Sequence, residues 1–491
     1  MAIFSKLEIN KQNKTQLSLS LLLIASPWIV LVITTTLVAR QSVFNSVPCW
    51  SDELAYWHEV LSFSQKGVDV GYYTINEALP KYLSFGTHGF GTVSVYVLFA
   101  KVFGWKAYSI VIANAFFLSL AFLFLTLTVK ISSRNLGYIL LFCLTYTPII
   151  LFSSTSMTEL LNFSILTMYV GLLYFYFKQG MKRGLIFLIA FITLISFVRI
   201  IYIILFLPLL FERMKEFRFD FKFIISIILW IAFSSLLFVL NSLFVSPYPD
   251  SFLNELFRSL SFTDLVSNFA IHLIQNTWNL INPVSENVIQ VLQRYFVMFI
   301  IFICLAKSNI FQSRSKKIDI DYFIVFLILF MFLLINISAY DVFDWRDYRV
   351  IAPVLFGSVL YLIMNNKVAV IYSSLAFNLI GIIFLIISPQ IFESFNSDRY
   401  FKPLKNSMLN HIEYTPHPVT PFENTIVVQQ FNSNTVLNIP AGIGITYSNV
   451  FTDKLKSRYI FSENKLDLST YQLIKRNDTG YLYQKINHIP K

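Results

Sequence analysis

Long apolar runs are the feature that most constrains the fold of this 491-residue chain. A helix needs about 20 mainly apolar residues to cross a bilayer, and several runs reach that length. Only 13% of the residues are charged, whereas soluble domains contain roughly 25%. Because no soluble core could bury so much apolar surface, we predict an all-α polytopic membrane protein with about eleven transmembrane helices. The predicted spans are 17–39, 107–129, 136–153, 159–177, 185–198, 200–211, 223–245, 290–306, 321–338, 350–364 and 368–388.

Basic residues lie mostly in the short segments between these runs and account for much of the net charge of +11. Lysine and arginine concentrate in the cytoplasmic loops of membrane proteins. With the N-terminal tail in the cytoplasm, the other basic loops fall on the same side. The charge therefore indicates topology, and we expect no nucleic-acid partner. The residues assigned to the cytoplasm include Lys6, Lys11, Lys14, Lys130, Arg134, Lys178, Lys182, Arg183, Lys307, Arg314, Lys316, Lys317 and Lys367.

Residues 185–211 allow two topologies. A single span would place Arg213, Lys215, Arg218 and Lys222 outside, against the charge rule. Two short helices folded as a hairpin keep them inside and put Arg199 at the outer tip. Because short, broken helices are tolerated where protein or a water-filled cavity covers them, we favour the hairpin.

The predicted topology divides the chain into a transmembrane domain, residues 1–388, and a small extracytoplasmic domain, residues 389–491. The tail is much less apolar than the rest, and its strand-like stretches Thr425–Gln430 and Gly442–Thr446 predict a small α/β fold. A long first outer loop lies within the transmembrane domain. The predicted outer segments are 40–106, 246–289, 339–349 and the tail.

The first outer loop opens with two adjacent carboxylates, Asp52 and Glu53, followed by Tyr56. Neighbouring side chains on a helix point about 100° apart, so we expect the two acids to have different roles. One could be a general base or an acceptor anchor, while the other binds a backbone amide, a cation or an arginine. The alternative is a structural helix start, with Ser51 as N-cap and the acids favoured by the helix dipole.

The third outer segment combines three acids with Arg346 and Arg349, just before an apolar run that contains Pro353. Arginine presents fixed donors suited to phosphate oxygens. The alternative is a loop that neutralises its own charges and simply stays out of the lipid.

Two further polar residues lie at the edges of predicted spans, and a third candidate, His88, lies within the first outer loop. Glu159 opens the fourth span, and Arg199 separates two apolar runs. Ionisable groups at such depths are costly and mark candidate functional sites. His88 precedes a stretch, ending near Trp105, that we predict to be an interfacial or re-entrant helix. The alternatives are a helix-capping role for Glu159 and a structural role for His88.

The predicted topology brings these residues to one side of the membrane although they come from distant parts of the chain. A carboxylate-plus-arginine site at the outer face suits a substrate with a phosphate and a lipid tail. The residues on this side are Asp52, Glu53, Glu159, Arg199, Arg346 and Arg349.

The order of these features resembles the GT-C superfamily of polyprenyl-phosphate-sugar glycosyltransferases, which includes protein O-mannosyltransferases and aminoarabinose transferases of lipid A. The resemblance covers roughly residues 17–365. The sequence departs from the family where His88 is followed by glycine rather than by Pro-Pro, so substrate identity does not transfer. The matching features are Ser51-Asp52-Glu53-x-x-Tyr56, His88-Gly-x-Gly, Phe103-Gly104, Pro148 before Thr158-Glu159, the Arg199 hairpin, and Arg346 and Arg349 before Pro353.

The resemblance implies an inverting glycosyltransferase that moves a sugar from a polyprenyl-phosphate donor to a lipid, glycan or protein acceptor. Asp52 would be the catalytic base, and Glu53 and Glu159 would orient the acceptor or the arginines. Arginines would hold the departing lipid phosphate. The substrate-binding residues we expect are Arg199, Arg346, Arg349, His88 and Tyr56.

We expect neither a metal nor another cofactor, since the sequence offers no convincing ligand set. The three cysteines form no C-x-x-C motif, so we predict neither a disulfide scaffold nor a zinc site. We expect the protein in a bacterial inner membrane, among membrane lipids, with its active site facing the periplasm.

Three other functions compete with this interpretation. An O-antigen-type polymerase or ligase also uses outer-face arginines, but such enzymes typically carry their large outer loop late in the chain. A polysaccharide or lipid transporter predicts charges near the bilayer midplane and internal symmetry, and the sequence has little of either. A non-enzymatic assembly protein would use its tail domain as the working part.

Overall fold

The structure is a computed structural model, and it combines a helical bundle with a small six-stranded sheet. The described residues are 14–67, 73–77, 89–180, 182–212, 221–245, 261–282, 287–309, 318–339, 348–396, 399–401 and 408–486.

The bundle is built from helices of very different lengths. Its first helix continues as a π-helix over Ile33–Val38, and a 3₁₀ helix over Ile200–Phe206 joins α8 to α9. The α-helices are α1 (Lys14–Val32), α2 (Ser51–Lys66), α3 (Phe90–Phe103), α4 (Ser109–Thr128), α5 (Ser133–Thr145), α6 (Thr147–Phe152), α7 (Glu159–Gln179), α8 (Lys182–Ser196), α9 (Leu207–Glu212), α10 (Phe221–Ser242), α11 (Phe262–Ile281), α12 (Val288–Lys307), α13 (Ile320–Ala339), α14 (Tyr348–Met364), α15 (Val368–Ile387) and α16 (Pro389–Asn396).

Length and composition confirm a mostly helical chain suited to a membrane. Within the described residues, seven helices are long and apolar enough to cross a bilayer. Four apolar helices are shorter, and among them are the two arms of the predicted hairpin and α14. The figure of eleven spans therefore stays a prediction. The seven long segments are Lys14–Val38, Ser109–Thr128, Glu159–Gln179, Phe223–Ser242, Val288–Lys307, Ile320–Ser338 and Val368–Ile387.

One end of the bundle gathers residues that the charge rule assigns to a single side. Lys178 Nζ lies 2.8 Å from Asp321 Oδ1, and Lys367 Nζ lies 3.3 Å from the other oxygen of that carboxylate. At the same end, Gln16 Nε2 donates to the Ile131 carbonyl at 2.9 Å. The loops after α4, α7 and α14 thus share one end of the bundle with the start of α1.

The chain breaks at Arg199, as the hairpin prediction requires. The residue is extended (φ −144°, ψ 118°) between α8 and the 3₁₀ helix. Tyr202 donates to Asn162 Oδ1 at 2.7 Å, and Tyr169 donates to the Leu205 carbonyl at 3.1 Å. The 3₁₀ helix therefore runs in the same direction as α7, and α8 runs opposite to both. The two arms form a hairpin with Arg199 at its tip.

The predicted interfacial helix is α3, and its first turn packs against this tip. Thr92 Oγ1 donates to the Val198 carbonyl at 3.0 Å. A Cβ at Gly91 would lie 2.0 Å from the Phe197 carbonyl oxygen, so only glycine allows this approach. Leu98 and Val102 on α3 are more than 70% exposed, which suits a helix in contact with lipid.

A long helix, α11, lies inside segment 246–289, where the sequence analysis assigns only an outer segment. Hydropathy alone does not identify this helix as a membrane span, because its polar residues lower its mean hydropathy. His272 and Asn276 are buried, and Asn276 Nδ2 donates to the Ile337 carbonyl of α13 at 2.9 Å. These polar groups therefore join two helices rather than face solvent.

The sheet has the strand order β1-β3-β2-β4-β6-β5. Strands β1, β3, β2 and β4 pair in parallel, whereas β6 pairs antiparallel with both of its neighbours, β4 and β5. Strands β2 and β3 confirm the two strand-like stretches predicted in the tail. Strand β1, however, comes from the first outer loop, so the sheet does not belong to the tail alone. The strands are β1 (Tyr73–Ile75), β2 (Thr425–Val428), β3 (Gly444–Tyr447), β4 (Tyr459–Ser462), β5 (Tyr471–Asn477) and β6 (Gly480–Lys485).

Helix α2 is buried between the bundle and the tail. Leu54 and Ala55 join the tail's core, whereas Tyr56, Trp57 and Val60 join the core of the bundle. Polar contacts secure both ends of the helix against the tail. The Ser433 hydroxyl donates to the Pro48 carbonyl at 2.6 Å, and the Gly442 amide donates to Ser62 Oγ at 3.0 Å.

His58 lies within this interface, where its ring contacts the backbone of Ile439 and Pro440. Burial lowers the pKa of His58 to about 4, although the two backbone groups oppose the shift. Because the unfolded pKa is about 6.5, the unfolded chain binds more protons between these values. Burial of neutral His58 therefore destabilises the fold as the pH drops from about 6.5 to about 4.

We predict that thermal unfolding of the detergent-solubilised protein shifts to lower temperature between pH 7 and pH 5, and that the shift is smaller in H58Q. The total effect at low pH is on the order of 3 kcal/mol. The control is H411Q, which changes an exposed tail histidine and should retain the wild-type pH dependence. Equal pH dependence in H58Q and the wild type would contradict the prediction.

Candidate functional site

The first turn of α2 fixes the directions of the two acids. Trp50, not Ser51, is the N-cap residue, so the alternative is wrong in its choice of Ser51, although both acids do lie in the first turn. Glu53 reaches back instead, and its Oε2 accepts from the Cys49 amide at 2.9 Å and the Trp50 amide at 3.2 Å. A carboxylate that satisfies free amides at a helix start is stabilised by both hydrogen bonds and the dipole.

Glu53 also forms a buried ion pair with Arg399 from the tail. Arg399 Nη1 lies 2.6 Å from both carboxylate oxygens, and both side chains have no exposed surface. The guanidinium stacks over the Trp50 ring at 4.4 Å and donates through Nε to the Phe395 carbonyl. Glu53 therefore has two of the partners considered in the sequence analysis, backbone amides and an arginine, and it is closed off from solvent.

Asp52 points in a different direction, as adjacent residues on a helix must. Its Oδ2 lies 3.3 Å from Arg349 Nη2, and both side chains are about a third exposed, at 39% and 31%. Arg349 Nη1 also lies 4.0 Å from Met157 Sδ. Asp52 is thus the more accessible acid of the pair and already has an arginine beside it.

Glu159 and Arg199 form a second ion pair, deeper in the bundle. Arg199 Nη2 lies 3.6 Å from Glu159 Oε1, with side-chain exposures of 9% and 1%. This distance exceeds hydrogen-bond length, and among the described residues neither Glu159 oxygen has a hydrogen-bond partner. Buried acceptors without donors are rare in folded proteins, so Glu159 can accept a hydrogen bond from a ligand.

Tyr56 connects the two ion pairs, because residues four apart lie on one face of a helix. The charges of Asp52, Glu159, Arg199 and Arg349 all act on its hydroxyl. Burial, together with the two carboxylates, raises the pKa of Tyr56 well above its usual value, although the arginines oppose this. The phenol therefore stays protonated at neutral pH and can donate a hydrogen bond.

A buried chain of hydrogen bonds fixes the backbone next to this cluster. Tyr96 on α3 donates to Asn114 Oδ1 at 2.5 Å, and Asn114 Nδ2 donates to the Met157 carbonyl at 2.7 Å. The chain links α3 and α4 to the segment before Glu159. It fixes the backbone that carries both Met157 and Glu159.

The structure thus brings together five of the sequence-predicted residues. Glu53 is close in sequence, but its carboxylate is paired with Arg399. His88 and Arg346 lie outside the described residues. The convergent residues, referred to below as the outer cluster, are Asp52, Tyr56, Glu159, Arg199 and Arg349.

Sequence reasoning missed Arg399, Met157 and Asn114. Arg399 stands in an ordinary polar stretch of the tail, 346 residues from its partner, and no local pattern marks it. Met157 lies two residues before Glu159, but a methionine in an apolar chain is usually core. Asn114 offered a usable signal, since an amide within an otherwise apolar span needs a partner.

The outer cluster combines two carboxylates, two guanidinium groups and a protonated phenol, and its exposure increases from Glu159 to Asp52. Such a set can bind an anion, accept a proton and orient hydroxyl groups. Within the described ranges, no group of three or more His, Cys, Asp or Glu residues is placed to hold a metal ion. Comparison with protein-family models and with curated proteins found no match.

We predict that the two ion pairs differ sharply in their effect on stability. E159L removes the buried carboxylate that faces Arg199 and should lower the free energy of unfolding by about 3–5 kcal/mol. D52N removes a half-exposed partner and should change it by no more than about 1 kcal/mol. Denaturant unfolding in detergent measures both, and similar losses for the two variants would contradict the assignment of depth.

Proposed function

We propose that this protein is a membrane glycosyltransferase of the GT-C type, which takes a sugar from a polyprenyl-phosphate donor and transfers it to a lipid, glycan or protein acceptor outside the cytoplasm. The observation that carries the proposal is the outer cluster. Four ionisable side chains from α2, α7, α14 and the hairpin tip meet at one end of an apolar bundle. Ionisable groups at the edge of a membrane bundle are costly and need a functional reason.

The two ion pairs fit different parts of this reaction. Asp52 is the accessible carboxylate, and it suits the base that removes the proton from the acceptor hydroxyl. The acceptor oxygen then bonds to the anomeric carbon while the bond from that carbon to the phosphate oxygen breaks. Arg349 and Arg199 face the position where the departing lipid phosphate gains charge, which is where fixed positive groups lower the barrier most.

Glu159 and Tyr56 are suited to orienting substrate hydroxyl groups. The carboxylate oxygens of Glu159 accept no hydrogen bond among the described residues, and a sugar hydroxyl supplies a donor. The protonated Tyr56 phenol is a donor of the kind that a sugar oxygen can accept from. Both residues are buried, so water competes little for these contacts.

The proposed topology has about eleven spans, the N-terminus in the cytoplasm and the outer cluster in the periplasm of a bacterial cell. We predict that single cysteines introduced in a background lacking Cys49, Cys143 and Cys304 report this orientation. V450C, in an exposed tail loop, should react with a membrane-impermeant maleimide in intact spheroplasts. K130C, next to the Lys178 end, should react only after the membrane is opened, and the reverse pattern would contradict the proposal.

We predict that D52N lowers product formation by about 100-fold or more, because general-base catalysis is lost while the binding geometry remains. Envelope glycolipids and glycoproteins from cells with the wild-type or variant gene are compared by mass spectrometry, at matched protein levels. R134Q, at the opposite end of the bundle, is a charge-removing control that should leave the products unchanged.

The same experiment separates the competing functions. Unchanged glycans in D52N, with normal protein levels, would count against a glycosyltransferase. Full activity in D52N with loss in R199A would instead favour a polymerase or a flippase, since those functions need the arginine but not the base.

A further inference from the structure

We infer that Arg399 is a positioning residue, and that through Glu53 the C-terminal domain holds Asp52 beside Arg349. The inference rests on the proposed function only for its consequence in catalysis. The geometry itself concerns a contact between the tail and the helix that carries Asp52.

The Glu53–Arg399 pair is the most completely enclosed ionic contact near the outer cluster among the described residues. Both side chains have 0% exposure, whereas those of Asp52 and Arg349 are 39% and 31% exposed. Glu53 accepts from two backbone amides as well as from Arg399. Both carboxylate oxygens of Glu53 thus have hydrogen-bond partners, and a shift of either side chain would leave a buried charge uncompensated.

Backbone contacts lie beside the Glu53–Arg399 pair. The Val47 amide donates to the Arg399 carbonyl at 2.9 Å, and Ser46 forms an antiparallel bridge with Tyr400. The segment that leads into α2 therefore runs along the segment that follows α16. The segment that carries Arg399 is joined closely to a predicted membrane helix, since α16 begins two residues after α15 ends.

The segment that follows α2 in the first loop contacts the same domain. Strand β1 pairs in parallel with β3, and the Thr74 and Thr446 hydroxyl groups share a hydrogen bond of 2.7 Å. Glu77 accepts from the Lys456 and Ser457 amides, each at 2.8 Å. With Arg399 at its start and β1 beyond its end, α2 is held at both ends by the tail.

Asp52 is adjacent to Glu53 in the first turn of α2, so a change at Glu53 rotates or unwinds the turn that carries Asp52. The Asp52–Arg349 contact is half-exposed and long, at 3.3 Å, and exposed ion pairs contribute only about 0–1 kcal/mol. This contact cannot fix the first turn of α2 by itself. Loss of Arg399, in contrast, would leave Glu53 as a buried, uncompensated charge in that turn.

A cross-linking experiment tests the inference without any assumption about activity. The parent protein is full-length C49S/D52C/R349C, treated in membranes with the shortest bifunctional thiol reagent that links its two introduced cysteines. Adding R399M should reduce the cross-link several-fold. R458M is the matched control, because Arg458 is a buried tail arginine that contacts Thr415 and Glu413 rather than α2, and its cross-link should equal that of the parent.

A second variant guards against simple misfolding. R399M leaves Glu53 as a buried unpaired charge, whereas E53Q/R399M removes both charges and avoids that penalty. Size-exclusion chromatography in detergent verifies that each protein is monodisperse. If R399M is not monodisperse, the cross-link of the double variant decides the test. An undiminished cross-link in the double variant, or an equal reduction in R458M, overturns the inference.

Activity is measured separately in cells that carry R399M or E53Q/R399M with Asp52 and Arg349 intact. Displacement of a catalytic group by about 1 Å can cost about 100-fold in rate, so products should fall by that order while R458M retains them. If D52N leaves the products unchanged, the glycosyltransferase proposal fails, yet the cross-link still decides the role of Arg399. Lost cross-linking with full product formation would overturn the catalytic consequence.

Discussion

A charge inside an apolar bundle has to be compensated within the protein, and this requirement organises the end of the bundle that carries Asp52, Glu159, Arg199 and Arg349. Arg199 is paired with Glu159 in a nearly closed environment, and Arg349 is paired with Asp52 nearer the surface. The guanidinium of Arg199 reaches this end because the chain turns there, which breaks a long apolar run into a hairpin. The backbone at the break is stabilised by α3, whose Gly91 and Thr92 contact the tip. The turn of the chain at Arg199 is thus what brings the guanidinium to Glu159.

Helix α2 lies at this end of the bundle and packs against both the bundle and the tail. One of its faces packs into the bundle core and another into the core beneath the sheet. Its two acids separate accordingly, with Asp52 turned to the outer cluster and Glu53 to Arg399. Adjacent residues therefore have unrelated surroundings, because a step of one residue along a helix changes direction by about 100°. A domain that looks like an appendage in the sequence is in contact with the helix that carries the candidate base.

Several parts of this arrangement were predictable from local signals. Apolar runs indicated the helices, and the basic loops indicated the hairpin at Arg199, since only a hairpin keeps the following basic segment on the expected side. The strands at Thr425–Val428 and Gly444–Tyr447 followed from their composition. Helix α11 was missed because His272 and Asn276 lower its hydropathy, although both are buried and Asn276 donates to the backbone of α13.

What the sequence by itself determined is most of the apolar helices and the candidate residues near their ends, because hydropathy and charge act over one or two turns of chain. Only the tertiary structure decided which of those residues meet. Arg399 pairs with Glu53 across 346 positions, and β1 leaves the first loop to join a sheet made by the tail. Such contacts depend on long-range packing, which no local pattern records, and they separate the enclosed role of Glu53 from the accessible position of Asp52.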